Sequence, residues 1–497
     1  MTAGFRSKRA LTAWAQMVAP AMLAALAGCW HAPADVAAPV ALPASFSATG
    51  PTAASGKWWT AFGDKDLNAL MADALAGNLT LQSAWDRLDA AEAVAARSGA
   101  ALWPQAGGSG DRVRTVRKSL GLHQTYRTEY SLGLSASYEL DLWGRVRATR
   151  NAAVLDARAS GEDLDAAAIS VTAEVARAWY QLIERHGQLA ILDDQIETNG
   201  KYLEVIQSRF RAGQASAADV LQQKELIESV RGERVVVELA IRVLANQLAV
   251  LLGRMPGGPE LDVPERLPDL PALPATPVPA EWIRRRPDVR AAELRVLSAD
   301  RRVAAAIADQ FPKLALSVSS DTTDQQVRNL LDNWVAAALA NLTAPLLDGG
   351  LRRAEVRRTK ADAAERLHAY GQVILTSVRE VEDALSQEAR QGEYVESLRK
   401  QLRLSEQATE QTLANYTKGA ADFTRYLTTL LSYQRLQRTC LSAERDRWLY
   451  RIDLCRALAG SWPMDRRPPT VEPAEPADKI EIQETDRPEP RARVDRS

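Results

Sequence analysis

The sequence predicts a mainly α-helical chain that also contributes strands to a membrane β-barrel, and three observations carry that prediction. The first is an internal duplication at an offset of about 206 residues. Glu174-Val175-Ala176-Arg177-Ala178 aligns with Glu380-Val381-Glu382-Asp383-Ala384, and Arg209-Phe210-Arg211-Ala212-Gly213 with Asn415-Tyr416-Thr417-Lys418-Gly419. Upstream the shift is about 208, with Leu102-Trp103-Pro104 meeting Gln310-Phe311-Pro312. The second is a proline-free, heptad-patterned run in each copy, too long for the helices of an ordinary domain. The third is a strict apolar/polar alternation from Tyr130 to Leu142.

Composition narrows the class. The chain has 497 residues, with Lys+Arg 62 against Asp+Glu 63 and a formal net charge of -1, which gives no support to a nucleic-acid partner. Three Cys and four His lack ligand spacing, so a structural metal site or disulfide scaffold is not expected. No nucleophile-base constellation or phosphate loop is visible, and an enzyme is not expected.

At the N-terminus, Arg6, Lys8 and Arg9 precede an apolar stretch from Leu11 to Ala27, the layout of a secretory signal peptide over residues 1–28. Its end, Leu26-Ala27-Gly28-Cys29, resembles the bacterial lipobox, which makes Cys29 the expected lipidation site. The stretch is short for a membrane span and contains Pro20, which argues against an anchor helix. Trp30, not Asp, follows; by resemblance to bacterial lipoproteins this favours the outer membrane.

The elements then follow in order. Residues 29–57 are Ala/Pro/Ser-rich and read as a tether, and the first repeat is expected over 58–253. Leu67, Leu70, Met71, Ala74 and Leu75 open a helix expected to run from Asp64 to Leu102, stopping before Pro104. Next, Tyr130, Leu132, Leu134, Ala136, Tyr138, Leu140 and Leu142 alternate with Glu129, Ser131, Gly133, Ser135, Ser137, Glu139 and Asp141. A partner strand around Arg112 to Arg117 is read mainly from its repeat counterpart. Trp143-Gly144 turns the chain into a helix from Arg145 to Arg211, about 100 Å long. Its seam is Val175, Leu182, Leu189, Ile196, Leu203 and Phe210, with Leu192 and Ile206 beside it. Ala212 to Ser216 reads as a hairpin tip with Gly213 in the left-handed position, and the returning helix carries Val230, Val237, Leu244 and Leu251. Residues 254–280 form a proline-rich linker. The second repeat, 281–462, supplies a strand through Leu314, Leu316 and Val318 and one from Trp334 to near Pro345, then another long hairpin; residues 463–497 read as a disordered tail.

Four strands per chain cannot close a barrel, whose smallest form has about eight. If they lie in a bilayer, where only helices and closed barrels satisfy the backbone, several chains must share one barrel. Two chains would supply eight strands and three twelve; the larger ring leaves an open lumen.

Several motifs extend the reading. They are Trp58-Trp59 with Phe62, Asp64 and Leu67; Tyr138-Glu139-Leu140-Asp141-Leu142-Trp143-Gly144; Arg285-Arg286-Pro287-Asp288-Val289; and Pro345-Leu346-Leu347-Asp348-Gly349-Gly350. In this order and duplication the chain resembles the outer-membrane factor family, the TolC- and OprM-like channels of tripartite efflux and secretion systems, in particular NodT-type lipoproteins. The resemblance implies a homotrimer with a twelve-stranded barrel in outer-membrane lipid and a helical tunnel through the periplasm. It implies docking onto a periplasmic adaptor (membrane fusion) protein and, through it, an inner-membrane transporter, with no cofactor and no chemistry. It also implies that the hairpin tips hold the gate and the docking surface: Gly213, Ser216 and Asp219 in the first tip, and Gly419, Asp422, Phe423 and Arg425 in the second. Many relatives carry further carboxylates in the second tip helix, where this chain has Thr428 and Thr429. The expected function is efflux of small toxic compounds. A polypeptide secretion duct within the same family, and a soluble coiled-coil adaptor or scaffold lipoprotein, are the alternatives.

Overall fold

Two copies of one plan, laid side by side, make up the structure, a computed structural model that describes residues 38–51, 56–118, 124–258, 261–460, 462 and 464. The signal segment, Cys29 and nearly all of the expected tail lie outside the described residues. The first copy runs α1 (Lys65–Gly77), α2 (Leu79–Ala100), β1 (Gln105–Arg117), β2 (Thr125–Leu140), α3 (Arg145–Arg211) and α4 (Ala217–Leu251). The second runs α5 (Pro287–Ala308), β3 (Lys313–Asp324), β4 (Trp334–Thr343), α6 (Leu351–Thr417) and α7 (Phe423–Leu458). α3 and α6 each have 67 residues, and α2 and α5 each have 22, so the duplication read in the sequence is carried element by element.

The helices form a wall. α3 packs on α2, α4, α5 and α7, while α6 packs on α5 and α7. The start of α2 meets the end of α4, and the junction is closely fitted. The Asn78 side-chain amide donates to the Leu251 carbonyl at 2.8 Å, and a Cβ on Gly253 would lie 2.0 Å from the Gly77 carbonyl oxygen. The second copy repeats the device, with Trp282 Nε1 and Arg286 Nη1 both donating to the Ala457 carbonyl at 3.1 Å. In each case a terminal helix carbonyl that has no partner in its own helix is satisfied by the next element.

Asn78 also corrects the expectation of one continuous helix from Asp64 to Leu102. It adopts an extended backbone between α1 and α2, and its side-chain oxygen accepts from Thr80 N and Leu81 N at 2.9 and 3.1 Å, capping a new helix. The long seam differs too. Leu192 and Ile206 are buried, whereas Leu189, Ile196 and Leu203 are half-buried and Phe210 is exposed, because α3 shares its face among several neighbours.

At one end of the wall the strands form a four-stranded antiparallel sheet in the order β1-β2-β3-β4. β1 starts earlier than expected and takes in Gly107, Gly108 and Gly110. Bare glycine leaves room there, since Cβ atoms on Gly108 and Gly110 would meet the Leu134 and Leu132 side chains at 3.5 and 3.3 Å. β2 ends at Leu140 rather than Leu142, because Asp141 turns to cap α3: its carboxylate accepts from Val146 N and Arg147 N at 3.0 and 2.9 Å.

A middle belt holds the wall together. Trp58, Trp59, Phe62, Tyr180, Trp448 and Trp462 make a chain of ring contacts, with Tyr180 stacked on Trp448 at 4.2 Å. Asp64 caps α1 with one carboxylate oxygen and accepts Trp179 Nε1 at 2.9 Å with the other, which explains the Trp-Trp-Phe-Asp motif as a structural anchor. The proline-rich linker lies against α7, where Arg451, ion-paired with the buried Glu388, also donates to the Ala272 carbonyl at 3.0 Å. Cys440 and Cys455 are free and buried, and burial pushes the Cys455 thiol up to about 12. Among the described residues no helix is long and apolar enough to cross a membrane.

Candidate functional site

Two regions carry the functional geometry: the hairpin tips at one end of the wall and the sheet at the other. In the first tip α3 closes with Gln214 N donating to the Arg209 carbonyl at 2.8 Å, and Gly213 sits at φ +73°, where a side chain would be strained. Ser216 and Asp219 then form a reciprocal capping box: Asp219 N donates to Ser216 Oγ at 3.1 Å and Ser216 N to Asp219 Oδ2 at 3.0 Å. Asp219 thus has a local role in its own hairpin. The second tip repeats the closure, with Ala420 N donating to the Asn415 carbonyl at 2.8 Å and Gly419 at φ +74°. Asp422 precedes α7 but its side chain makes no capping bond. Phe423 is buried and Arg425 is exposed, without an ion pair among the described residues.

The tips touch through residues the sequence reading had not assigned to the site. Arg209 lies over the Tyr416 ring at 4.7 Å and donates to the Thr417 carbonyl at 2.7 Å, a cation at the C-terminus of α6. Beneath it Tyr416, Phe423, Tyr426 and Leu430 pack with Leu192, Ile206, Leu226 and Val230. Burial, then the neighbouring Tyr202 hydroxyl, raises the Tyr426 pKa above that of a free phenol. The signal available in the sequence was the mismatch inside the repeat, where Arg209 meets Asn415 and Phe210 meets Tyr416. Thr429 shares a hydroxyl contact of 2.7 Å with Thr412, and Thr428 bonds back to the Thr424 carbonyl.

Above the tips, the seam between α3 and α7 is polar. Gln188, Gln195, Asn199 and Gln434 are buried. Gln188 Nε2 donates to the Arg438 carbonyl at 2.8 Å, Gln195 Nε2 to the Gln434 carbonyl at 3.1 Å, and Gln434 Nε2 to Asn199 Oδ1 at 3.1 Å. Buried amides of this kind define a register, because a slip leaves them unpaired.

In the sheet, register sorts the side chains by face. Leu134 stands opposite Gly108 and Ser320, Ala136 opposite Val318, Tyr138 opposite Leu316, and Leu314 opposite Leu342. One face therefore collects Leu132, Leu134, Ala136, Tyr138 and Leu140 with Leu314, Leu316 and Val318. The other collects Ser135 and Ser319, Ser137 and Ser317, and Gly133 beside Asp321. Leu134 is 68% exposed and Leu339, on the second face, 58%, so neither face is covered by the rest of the chain. β1 and β4 are open edges.

A long helical wall ending in an uncovered, two-faced sheet is the architecture of a membrane-embedded export duct, and the chain belongs to the outer membrane efflux protein family. The family model of that description matches residues 70–254 and 278–460, one stretch in each repeat. Over 464 residues the chain is 30% identical to the pyoverdine export outer membrane protein OpmQ of Pseudomonas aeruginosa, a match covering 89% of this chain and 96% of that one. It is likewise 30% identical over 422 residues to outer membrane protein OprJ of the same species, covering 82% and 86% of the two. The solved outer-membrane channel OprN matches the fold with a TM-score of 0.78 at 27% identity, covering 87% of this chain and 99% of that one. Outer membrane, efflux and transport are thus the class of this protein.

Proposed function

We propose that three copies of this chain close a twelve-stranded barrel in the outer membrane and a helical tunnel below it. In this reading the trimer is the exit duct for small toxic compounds, fed by a periplasmic adaptor and an inner-membrane transporter. The observation that carries the reading is the sheet: four strands, two open edges and, along β2 and β3, one apolar face and one polar face, neither covered within the chain. An open edge invites another strand, and an apolar face exposed on this scale needs lipid or protein against it. Pairing β4 of one copy with β1 of the next keeps the antiparallel alternation and removes every edge. The helical wall has matching needs, since Val236, Leu239, Val243 and Val250 form an exposed stripe along α4, on the face away from its buried Val230 and Leu248. A neighbouring copy covers that stripe in a closed tunnel.

Pyoverdine export by the relative OpmQ supports a small-molecule cargo over a polypeptide. Cys29, behind its lipobox, anchors the mature N-terminus in outer-membrane lipid. The test of the duct is direct: protein extracted with detergent should migrate as a heat-sensitive trimer and form discrete ion channels in planar bilayers. A soluble monomer without channel activity would instead establish the coiled-coil scaffold reading. For the anchor, metabolic labelling with a palmitate analogue should mark the wild type and not Cys29→Ser; equal label in both excludes Cys29 as the lipid site.

A further inference from the structure

We propose that Arg112 and Arg114 form a site on the outward sheet face for the phosphate groups of the phosphorylated glycolipid that fills the outer leaflet. The inference rests on the reading that the Leu132–Leu140 face meets lipid.

Register places both arginines on that face. Arg112 stands opposite Tyr130 and Arg114 opposite Thr128, in line with Leu132 and Leu134 further down β2. Among the paired residues of this face they are the only cations; Arg117, Arg127 and Lys313 occupy odd positions on the other side. Charge on a lipid-facing surface is costly at the midplane and tolerated near the headgroups, so height decides what these two side chains do. From Leu140 to Tyr130 is ten steps along β2 (140 − 130). At about 3.4 Å per residue and a tilt of about 40°, ten steps rise roughly 25 Å, the height of an outer-membrane apolar band. Arg112 therefore lies at the upper headgroup level and Arg114 one pleat above it. The wall of helices joins the sheet at the opposite end, so this is the external leaflet. The near end of the same face, Tyr138, Leu140, Leu314 and Leu342, holds no cation, and the asymmetry matches a membrane with phosphorylated glycolipid only outside.

The side chains are also held ready. The Arg112 guanidinium lies 5.8 Å from the Tyr130 ring centroid and that of Arg114 lies 5.0 Å from Tyr126. Stacking on a ring leaves the edge N–H groups free for a bidentate phosphate. Neither arginine has an ion pair among the described residues, whereas Arg127 on the other face is paired with Glu129 at 3.3 Å. The acid on the arginine face is Asp324, opposite Tyr130 on β3, and its carboxylate accepts Gln326 N at 2.8 Å.

The experiment uses full-length protein in detergent micelles doped with diphosphoryl lipid A, with bound lipid counted by native mass spectrometry. Wild type and Arg127→Ser should retain the lipid. The double variant Arg112→Ser/Arg114→Ser should bind it at least tenfold more weakly, with single-channel conductance unchanged, and phosphate-free lipid A should bind to none of the three proteins. Undiminished binding by the double variant overturns the proposal. Equal retention of phosphatidylglycerol overturns the assignment to the external glycolipid. A nitroxide at Leu134 separates the two levels of failure. If it reports water, the membrane face itself is wrong. If it reports lipid while the double variant still binds lipid A, only the arginine site falls.

Discussion

Asp219 and Arg425 show how one side chain's local bonds set what it can do elsewhere. Asp219 is engaged in its capping box, and Asp219→Ala removes the bond from Ser216 N while the backbone bond to Ser216 Oγ remains, at a cost of about 0.5–1.5 kcal/mol that loosens the start of α4. Arg425 is exposed and without an ion pair among the described residues, so it is free to meet a neighbouring copy at the aperture. Arg425→Ser is therefore expected to loosen the closed state and raise single-channel conductance in planar bilayers; unchanged conductance with intact trimer assigns the residue to docking or tip stability. At the other end, Asp348 accepts from Gly350 N at 2.9 Å and from Arg352 N at 3.3 Å at the start of α6. These backbone donors, then the Arg352 side chain, hold its carboxyl below the usual range. A depressed folded pKa contributes stability above the unfolded value near 4 and loses it as pH falls through the folded one. Asp348→Asn should accordingly flatten the acid limb of the protein's stability-against-pH curve below about pH 4 and leave the neutral region little changed in shape.

At the scale of elements, the strands are informative because their two faces make opposite predictions. Leu134 and Ser135 are adjacent on β2, yet register sends one to the apolar face and the other to the polar face. Leu134→Arg should destabilise the assembled barrel by about 2–4 kcal/mol if it lies near the midplane. Ser135→Arg should leave assembly intact and change conductance and ion selectivity. Equal loss of the heat-sensitive trimer in both variants would refute the assignment of faces. The long helices obey a different logic. Near the tips an apolar cluster crosses between the hairpins, joining Leu192, Ile206, Leu226 and Val230 to Tyr416, Phe423, Tyr426 and Leu430. Above it the amides of Gln188, Gln195, Asn199 and Gln434 line the seam, so hydrophobic area supplies adhesion and hydrogen bonds supply register.

For the whole molecule, the described chain leaves uncovered what neighbouring copies would cover in the proposed assembly, two sheet edges and the stripe along α4. Aspartate at both Val236 and Val243 should abolish the heat-sensitive trimer seen in gels while the far-ultraviolet dichroism of the monomer keeps its helical signal. Both side chains point away from the chain's own core, being 66% and 56% exposed, so the monomer loses no packing. Retention of trimer would mean that α4 is not an assembly surface.

Much of this architecture was legible because it rests on periodicity. The duplication, the two 67-residue helices, the alternation in β2 and the left-handed Gly213 and Gly419 each follow from spacing or from a residue's backbone preference. The break at Asn78 rests on a local cap to Thr80 and Leu81 that the apolar spacing on either side masked, and what lay beyond the local sequence is that the same amide also reaches the Leu251 carbonyl. The strand character of Gly107 to Gly110 was hidden as well, since those glycines matter for the leucines they leave room for on β2. The tip contact of Arg209 with Tyr416 joins the two repeats, and no pattern within either repeat encodes it. Local sequence determined which segments are helix and strand and which face of each is apolar, because those depend on a residue and its near neighbours. Tertiary structure alone decided which helix ends abut one another, which tips are locked together and which charges stand free, because those depend on groups brought together from distant parts of the chain.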